Sequence, residues 1–568
     1  MSCEINEGGV LKQKNHLVEV AKSAYIYNVY EKLENSSIKR GISDMLQPIA
    51  IDTSDFPKIR RQGKIYVDKT GYFHKLITGD SDCHFLARPR RFGKSLMIST
   101  LKAIFEGRRE LFDGLAISKT DWKWEAYPVL YFNFGFAARS FVDEFRCSFP
   151  IEVERGIVAA GGSYNSSKSA SDNFGEAIQT LSATSNGKGV VILIDEYDDP
   201  VARLLDKPDD ADIVRGMLAD FYGQMKDRTE DIRFLMITGV SKFTKMSIFS
   251  ALSNLTNLSM NDQYATMLGY TESELDQYFG EHMRLHAERI GLSYDEYRAE
   301  LKRWFNGYRF GQTSPTTVYN PVSIGINLSE RNPFFKASWA ETGKASMLMN
   351  SIKRDDFLSI DMDAVQDVDE MDFDVSDMRH LRAVPMLYQT GYLTIANYDI
   401  ATRTYDLCVP DEEVRQDLAT LTLSVATDLG SSSVTTLGKK LLRAKWDEFF
   451  TGLKALYAAL PYGPKEKNIQ EFSFERSLYI LLKSQAVRCT TEDRQANGQA
   501  DIVADSPAGV FIFELKVDES ADEALKQVKD KHYDAPYRGR NLPIWFIGLN
   551  FDRKTRHLLD AKAERLQL

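Results

Sequence analysis

A chain of 568 residues, 43% apolar and 27% charged, has the composition of a folded protein but is too long for one hydrophobic core, so several units are expected. A formal net charge of −10 excludes a surface that attracts nucleic acid as a whole, and any polyanion must be met in a local basic cleft. No apolar run approaches the roughly 18–20 residues of a membrane span, Met1 to Gly8 lacks the apolar stretch of a secretion signal, and the five scattered cysteines form no Cys-x-x-Cys pair, which points to a reducing cytosol and no membrane partner.

In chain order, residues 1–45 read as a helical extension with a largely apolar series through Val18, Ala21, Tyr25, Val29 and Leu33. Residues 46–260 alternate apolar strands, expected at 84–87, 129–134, 190–194 and 233–238, with helical patterns, as in a parallel α/β unit. Residues 261–460 read as a mainly helical lid and connecting region. It opens with two capping boxes, Thr271-Glu-Ser-Glu274 and Ser293-Tyr-Asp-Glu296. An acidic segment at 361–377 follows, and the small polar patch at 431–436 reads as a loop or linker. Residues 461–568 regain β character at 500–504, 509–516 and 542–549, framed by helices at 472–485 and 521–533, and are expected to form a separate small α/β domain.

Arg88-Pro-Arg-Arg91-Phe-Gly93-Lys94-Ser95 lies between the first strand and a good helix. A Gly-Lys-Ser at such a turn offers backbone N–H groups and a helix N-terminus to a phosphate. Lys94 then reaches the β and γ phosphates, and the Ser95 hydroxyl binds Mg²⁺. Arg88 stands where the usual loop has its first glycine, and a basic helix cap is the plainer alternative. The apolar run ending in Asp195-Glu196 suits a central parallel strand whose end faces the ligand. There Asp195 can hold Mg²⁺ through water, and Glu196 can orient or deprotonate the attacking water. Thr238, ending a neighbouring strand, is a candidate sensor of the γ-phosphate. Arg303 and Arg309 are candidate lid arginines, with helix-surface salt bridging as the rival role.

These segments, together with Ile65-Tyr-Val-Asp-Lys-Thr70, Ile194-Asp-Glu-Tyr-Asp198 and Thr238-Gly-Val-Ser-Lys-Phe243, resemble the AAA-ATPase-like family of prokaryotic proteins. Phe305-Asn-Gly-Tyr308, Tyr319-Asn-Pro321 and Tyr388-Gln-Thr-Gly-Tyr392 are similar to the later motifs of that family, so the resemblance runs from about residue 50 to 395. It implies an ATP-binding P-loop sheet with a helical lid, in which an Arg-rich loop without its first glycine is usual. Self-assembly through the ATPase part is a further expectation.

In the last hundred residues, Asp501 precedes Val510-Phe-Ile-Phe-Glu514-Leu-Lys516. Residues two apart on a strand share a face, so Glu514 and Lys516 point one way and Phe513 and Leu515 the other. A neighbouring strand would bring Asp501 beside Glu514. Two such carboxylates can bind Mg²⁺, or Mn²⁺, and lower the pKa of a bound water, with Lys516 positioning that water or neutralising charge. A cross-strand ion pair in an ordinary sheet is the alternative. Glu475, at the edge of an apolar helical stripe, and Gln527, near the apolar face of a later helix, add to the set. The order helix-Glu, strand-Asp, strand-Glu-x-Lys, helix-Gln resembles the PD-(D/E)xK nuclease superfamily over about residues 465–555, with Ala500 where the usual proline stands. That resemblance implies a restriction-endonuclease-like domain with Glu475, Asp501 and Glu514 as metal ligands. DNA is expected before RNA as the substrate, under nucleotide control. The rival reading is a nucleotide-controlled switch whose nuclease fold binds nucleic acid or protein without cutting.

Overall fold

A computed structural model describes residues 46–241, 254–329, 335–337, 365–373, 383–427, 429–460, 471–495 and 498–566. The helical extension expected at 1–45, Lys242–Phe243 of the fourth motif and both ends of the acidic segment, 361–364 and 374–377, lie outside the described residues. Five strands form the first sheet: β1 (Cys83–Ala87), β2 (Val129–Asn133), β3 (Val190–Asp195), β4 (Ile232–Gly239) and β5 (Thr256–Asn257). They are parallel in the order β2-β3-β4-β1-β5. Every residue of β3 is buried, as expected for a central strand covered on both faces. The register sets Asn133 opposite Asp195 and Leu86 opposite Thr238, so the C-terminal ends of β1 to β4 come level. Ligands of open parallel sheets bind outside that edge.

Helices predominate among the described residues of the middle of the chain, but strands that the sequence reading did not expect lie between them. Strands β6 (Asn306–Arg309) and β7 (Thr317–Tyr319) pair as a ribbon, and β8 (Val365–Asp369), β9 (Thr394–Asp399) and β10 (Thr404–Cys408) form an antiparallel sheet ordered β8-β10-β9. In β10 the buried residues are Tyr405 and Leu407, a period of two. The run is only five residues long, too short for its alternation to stand out among flanking helical patterns. Both capping boxes are present, at the starts of helices Glu272–Ile290 and Tyr294–Phe305. Residues 431–436 are no linker: they begin helix Ser431–Leu442 behind the N-cap Gly430. Val434, Leu437 and Leu441 recur at helical spacing and are buried, which overrides the weak propensity of the serines and threonines.

The third sheet runs β11 (Arg488–Gln495), β12 (Gly498–Ser506), β13 (Gly509–Val517), β14 (Ile544–Phe551) and β15 (Leu558–Arg565), neighbouring in that order. All its pairs are antiparallel except β13 with β14, which are joined through helix Ala521–Asp530. Alternation along β13 divides the core. Phe511, Phe513 and Leu515 pack with residues of helices Glu412–Thr427, Ser431–Leu442, Trp446–Ala459 and Glu471–Lys483. Val510 and Ile512 pack with Leu525 and Val528 of helix Ala521–Asp530.

Candidate phosphate-binding and carboxylate sites

The loop after β1 turns into helix Lys94–Phe105 through Gly93, whose backbone is left-handed at φ 85°. Arg91 is left-handed too, at φ 68°. Between them Phe92 is buried edge-on against Tyr308 and Phe310, with ring centroids 4.7 and 5.0 Å away. The loop is thereby fastened to β6 and the residue after it. Lys94 is buried, and its Nζ donates to the carbonyl oxygens of Arg88 and Pro89 at 2.8 and 2.9 Å. Burial pulls its ammonium down to about 8, a fall that the acids Asp195, Asp198 and Glu196 oppose. Ser95 occupies the first turn of the helix.

Asp195 ends β3 fully buried. Its Oδ1 accepts the Thr238 hydroxyl at 2.6 Å and the Glu196 N–H at 3.1 Å, whereas its buried Oδ2 has no hydrogen-bond partner. Thr238, expected to face the γ-phosphate, is thus engaged with the carboxylate beside it. An orphaned carboxylate oxygen at the mouth of a phosphate loop fits Mg²⁺ or a water of its shell, with Ser95 and Asp195 the side chains to hold it. Glu196 takes a left-handed φ of 54°, unusual for a residue with a side chain. Its carboxyl is held above the usual carboxylate range, first by burial and then by Asp195 and Asp199. It lies over Gly135, where an added Cβ would come 1.7 Å from Oε2 and would force the carboxyl to move.

Sequence reasoning passed over three residues here. Asn133, opposite Asp195, caps the Gly135 N–H. A polar residue closing an apolar strand was the available signal. Asp198 accepts the backbone N–H groups of Val240 and Ser241, and Tyr197 donates to the Ser241 carbonyl, so both pin the segment after β4. The candidate lid arginines are otherwise employed: Arg303 pairs with Glu300 and Glu412, and Arg309 donates to the carbonyls of Ala396 and Gln312.

In the third sheet Ile502 stands opposite Phe513, which sets Asp501 opposite Glu514. Asp501 Oδ2 accepts the Leu515 N–H at 2.7 Å. Glu514 is buried, and its Oε1 accepts Lys516 Nζ at 3.1 Å and the Gln527 amide. Asp501, Glu514, Lys516 and Gln527 therefore meet on the face covered by helix Ala521–Asp530. Glu475 is buried on helix Glu471–Lys483, which packs on the Phe513 side of the sheet. Among the described residues no group of three or more His, Cys, Asp or Glu side chains is placed to hold a metal ion. Two opposed carboxylates still suit Mg²⁺, which keeps several waters and needs one or two such ligands.

No helix among the described residues is long and apolar enough to cross a membrane. Residues 48–249 match a family described as predicted AAA-ATPase, and residues 466–561 match the PD-(D/E)XK nuclease superfamily. The chain is similar to the "uncharacterized protein in vnfD 5′ region" of Azotobacter chroococcum mcd 1, 32% identical over 533 residues that cover 91% of this chain and 99% of that protein. No solved structure matches. The two sites thus lie within the two matched regions, and the chain belongs to a family of AAA-ATPase-like proteins with a C-terminal PD-(D/E)XK nuclease superfamily domain.

Proposed function

We propose that this protein binds and hydrolyses ATP at the β1 loop and uses that cycle to control metal-dependent cleavage of nucleic acid, DNA before RNA, by its C-terminal sheet. The observation that carries the nuclease half is the meeting of Asp501, Glu514 and Lys516 on one sheet face, with Lys516 Nζ 3.1 Å from Glu514 Oε1. A lysine so placed can hold the attacking water or the developing phosphate charge. Asp501 and Glu514 would hold Mg²⁺ or Mn²⁺, which when bound polarises the phosphodiester and acidifies a water. In the ATPase half Lys94 leaves the loop carbonyls for the β and γ phosphates, and Arg91 and the Gly93 turn frame them. Glu196, its pKa raised, accepts a proton from the attacking water more readily than an ordinary surface carboxylate would. Action in the cytoplasm and self-assembly through the ATPase part belong to the same proposal.

One observation favours the rival, non-cleaving reading: among the described residues no three His, Cys, Asp or Glu side chains gather as a metal-holding group. Incubation of the full chain with linear DNA, circular DNA and RNA, with and without ATP and with Mg²⁺ or Mn²⁺, decides between them. Cutting that needs metal and varies with ATP is the expected result. A gel shift without cutting under every condition replaces the nuclease with a binding switch.

A further inference from the structure

A cavity of about 270 Å³ lies between the start of the phosphate loop and the middle of the chain, with walls that include Arg88, Ser259, Phe310, Tyr388 and Gln389. Arg88 is only 2% exposed. Its guanidinium carbon sits 4.2 Å from the Phe310 ring centroid, and Nη1 donates to the carbonyls of Ala87 and Ser259. Its Nε and Nη2, both buried, have no hydrogen-bond partner. Glu370 also lines the cavity, but it is not among the groups that act on the guanidinium: burial lowers it to about 10, and only the nearby Tyr388 opposes that fall. Gln389 has to turn its amide nitrogen to the Phe373 carbonyl, which leaves its buried Oε1 as an acceptor without a donor.

A buried guanidinium with two idle donors is costly, and the shape of that cost describes what would relieve it. Nε and Nη2 form one edge of the arginine fork, which matches two oxygens of a carboxylate or phosphate. Gln389 Oε1 asks for an O–H or N–H. The aromatic walls accept an apolar body. We propose that this cavity binds a small oxyanion, carboxylate or phosphate, which seats on the Arg88 fork and donates a hydrogen bond to Gln389. The site is separate from the one at Lys94. Its walls come from both the parallel sheet and the 310–394 segment, so the bound anion would tie the two together beside the phosphate loop.

The test is calorimetry on the full chain with saturating ADP and Mg²⁺ to fill the phosphate loop. The probes are 4-hydroxybenzoate, inorganic phosphate and the neutral 4-hydroxybenzamide. One anion per chain should bind, and the amide should not; preference between the two anions tells an organic acid from a phosphoryl ligand. Arg88→Met should weaken binding about tenfold or more, the scale of hydrogen bonds to a charged group. Should that variant fail to fold, Gln389→Glu serves instead, since it supplies an internal counter-ion and should abolish anion binding. The proposal is overturned if neither anion binds, if Gln389→Glu binds as wild type does, or if the heat appears only without ADP.

Discussion

The two candidate sites hold their charges in opposite ways. At the β1 loop, Lys94 is spent on the carbonyls of its own loop and Thr238 on Asp195, while Glu196 sits in a left-handed conformation over Gly135. The loop is closed on itself, and a phosphate must draw the lysine out, giving up two bonds worth about 1.5–3 kcal/mol each. In the third sheet, Lys516 and Gln527 already hold Glu514, and Asp501 stands opposite it. A metal there would have to share Glu514 with the lysine and the amide that hold it.

The comparison can be broken at its foundation by cutting the chain. Helices Ser431–Leu442 and Trp446–Ala459 share a core with Phe511, Phe513 and Leu515 of β13. A fragment of residues 411–568, which keeps these and helix Glu412–Thr427 of the same core, should therefore melt cooperatively, whereas 461–568 leaves those side chains uncovered and should be unfolded and protease-sensitive. A cooperative melt for the shorter piece would mean that the third sheet stands without them. Glu514→Ala comes next: metal-dependent cleavage should fall on the order of a hundredfold or more while ATP hydrolysis persists. Lys516→Ala should also be inactive yet keep its metal affinity, measured by calorimetry. Equal cutting by the Glu514 variant and wild type would remove the catalytic assignment.

On the other side, Lys94→Ala should abolish nucleotide binding, and Glu196→Gln should bind ATP but turn it over slowly. Unchanged hydrolysis in both would place the ATPase elsewhere. The smallest effect is on pH. With the Lys94 ammonium down to about 8, raising the pH through that value neutralises it, so ADP affinity should fall a few-fold between about pH 7 and 9. The same titration without ligand runs the other way for stability: the unfolded lysine keeps a proton that the folded one has lost, so stability rises across that window. A flat ADP-binding profile would mean that Lys94 does not carry the phosphate contact; in Lys94→Ala any residual profile should be flat.

What was legible in the sequence was local. The Gly93-Lys94-Ser95 turn and the apolar run into Asp195-Glu196 are contiguous, and each carries its own spacing. Glu514 and Lys516 share a face by strand periodicity alone. The partners across space were harder. Asp198 holds Val240 and Ser241, and Phe92 meets Tyr308, through contacts that no local pattern encodes. Strand β15 escaped notice because only Leu558 of its eight residues is buried, so its hydrophobic signal is faint. Residues 431–436 were misread because serine and threonine suggest turns, while the apolar positions that make them a helix come later, at Val434, Leu437 and Leu441.

The aromatic seat of Phe92 also bears on how the protein is made. Tyr308 and Phe310, which grip that ring, follow it by roughly two hundred residues, and synthesis runs at about 5–20 residues per second. A growing chain therefore carries its phosphate loop unfastened for on the order of ten to forty seconds. During that interval the parallel sheet can complete itself, since β5 ends at Asn257. The candidate phosphate site, in time as in space, is finished by the middle of the molecule.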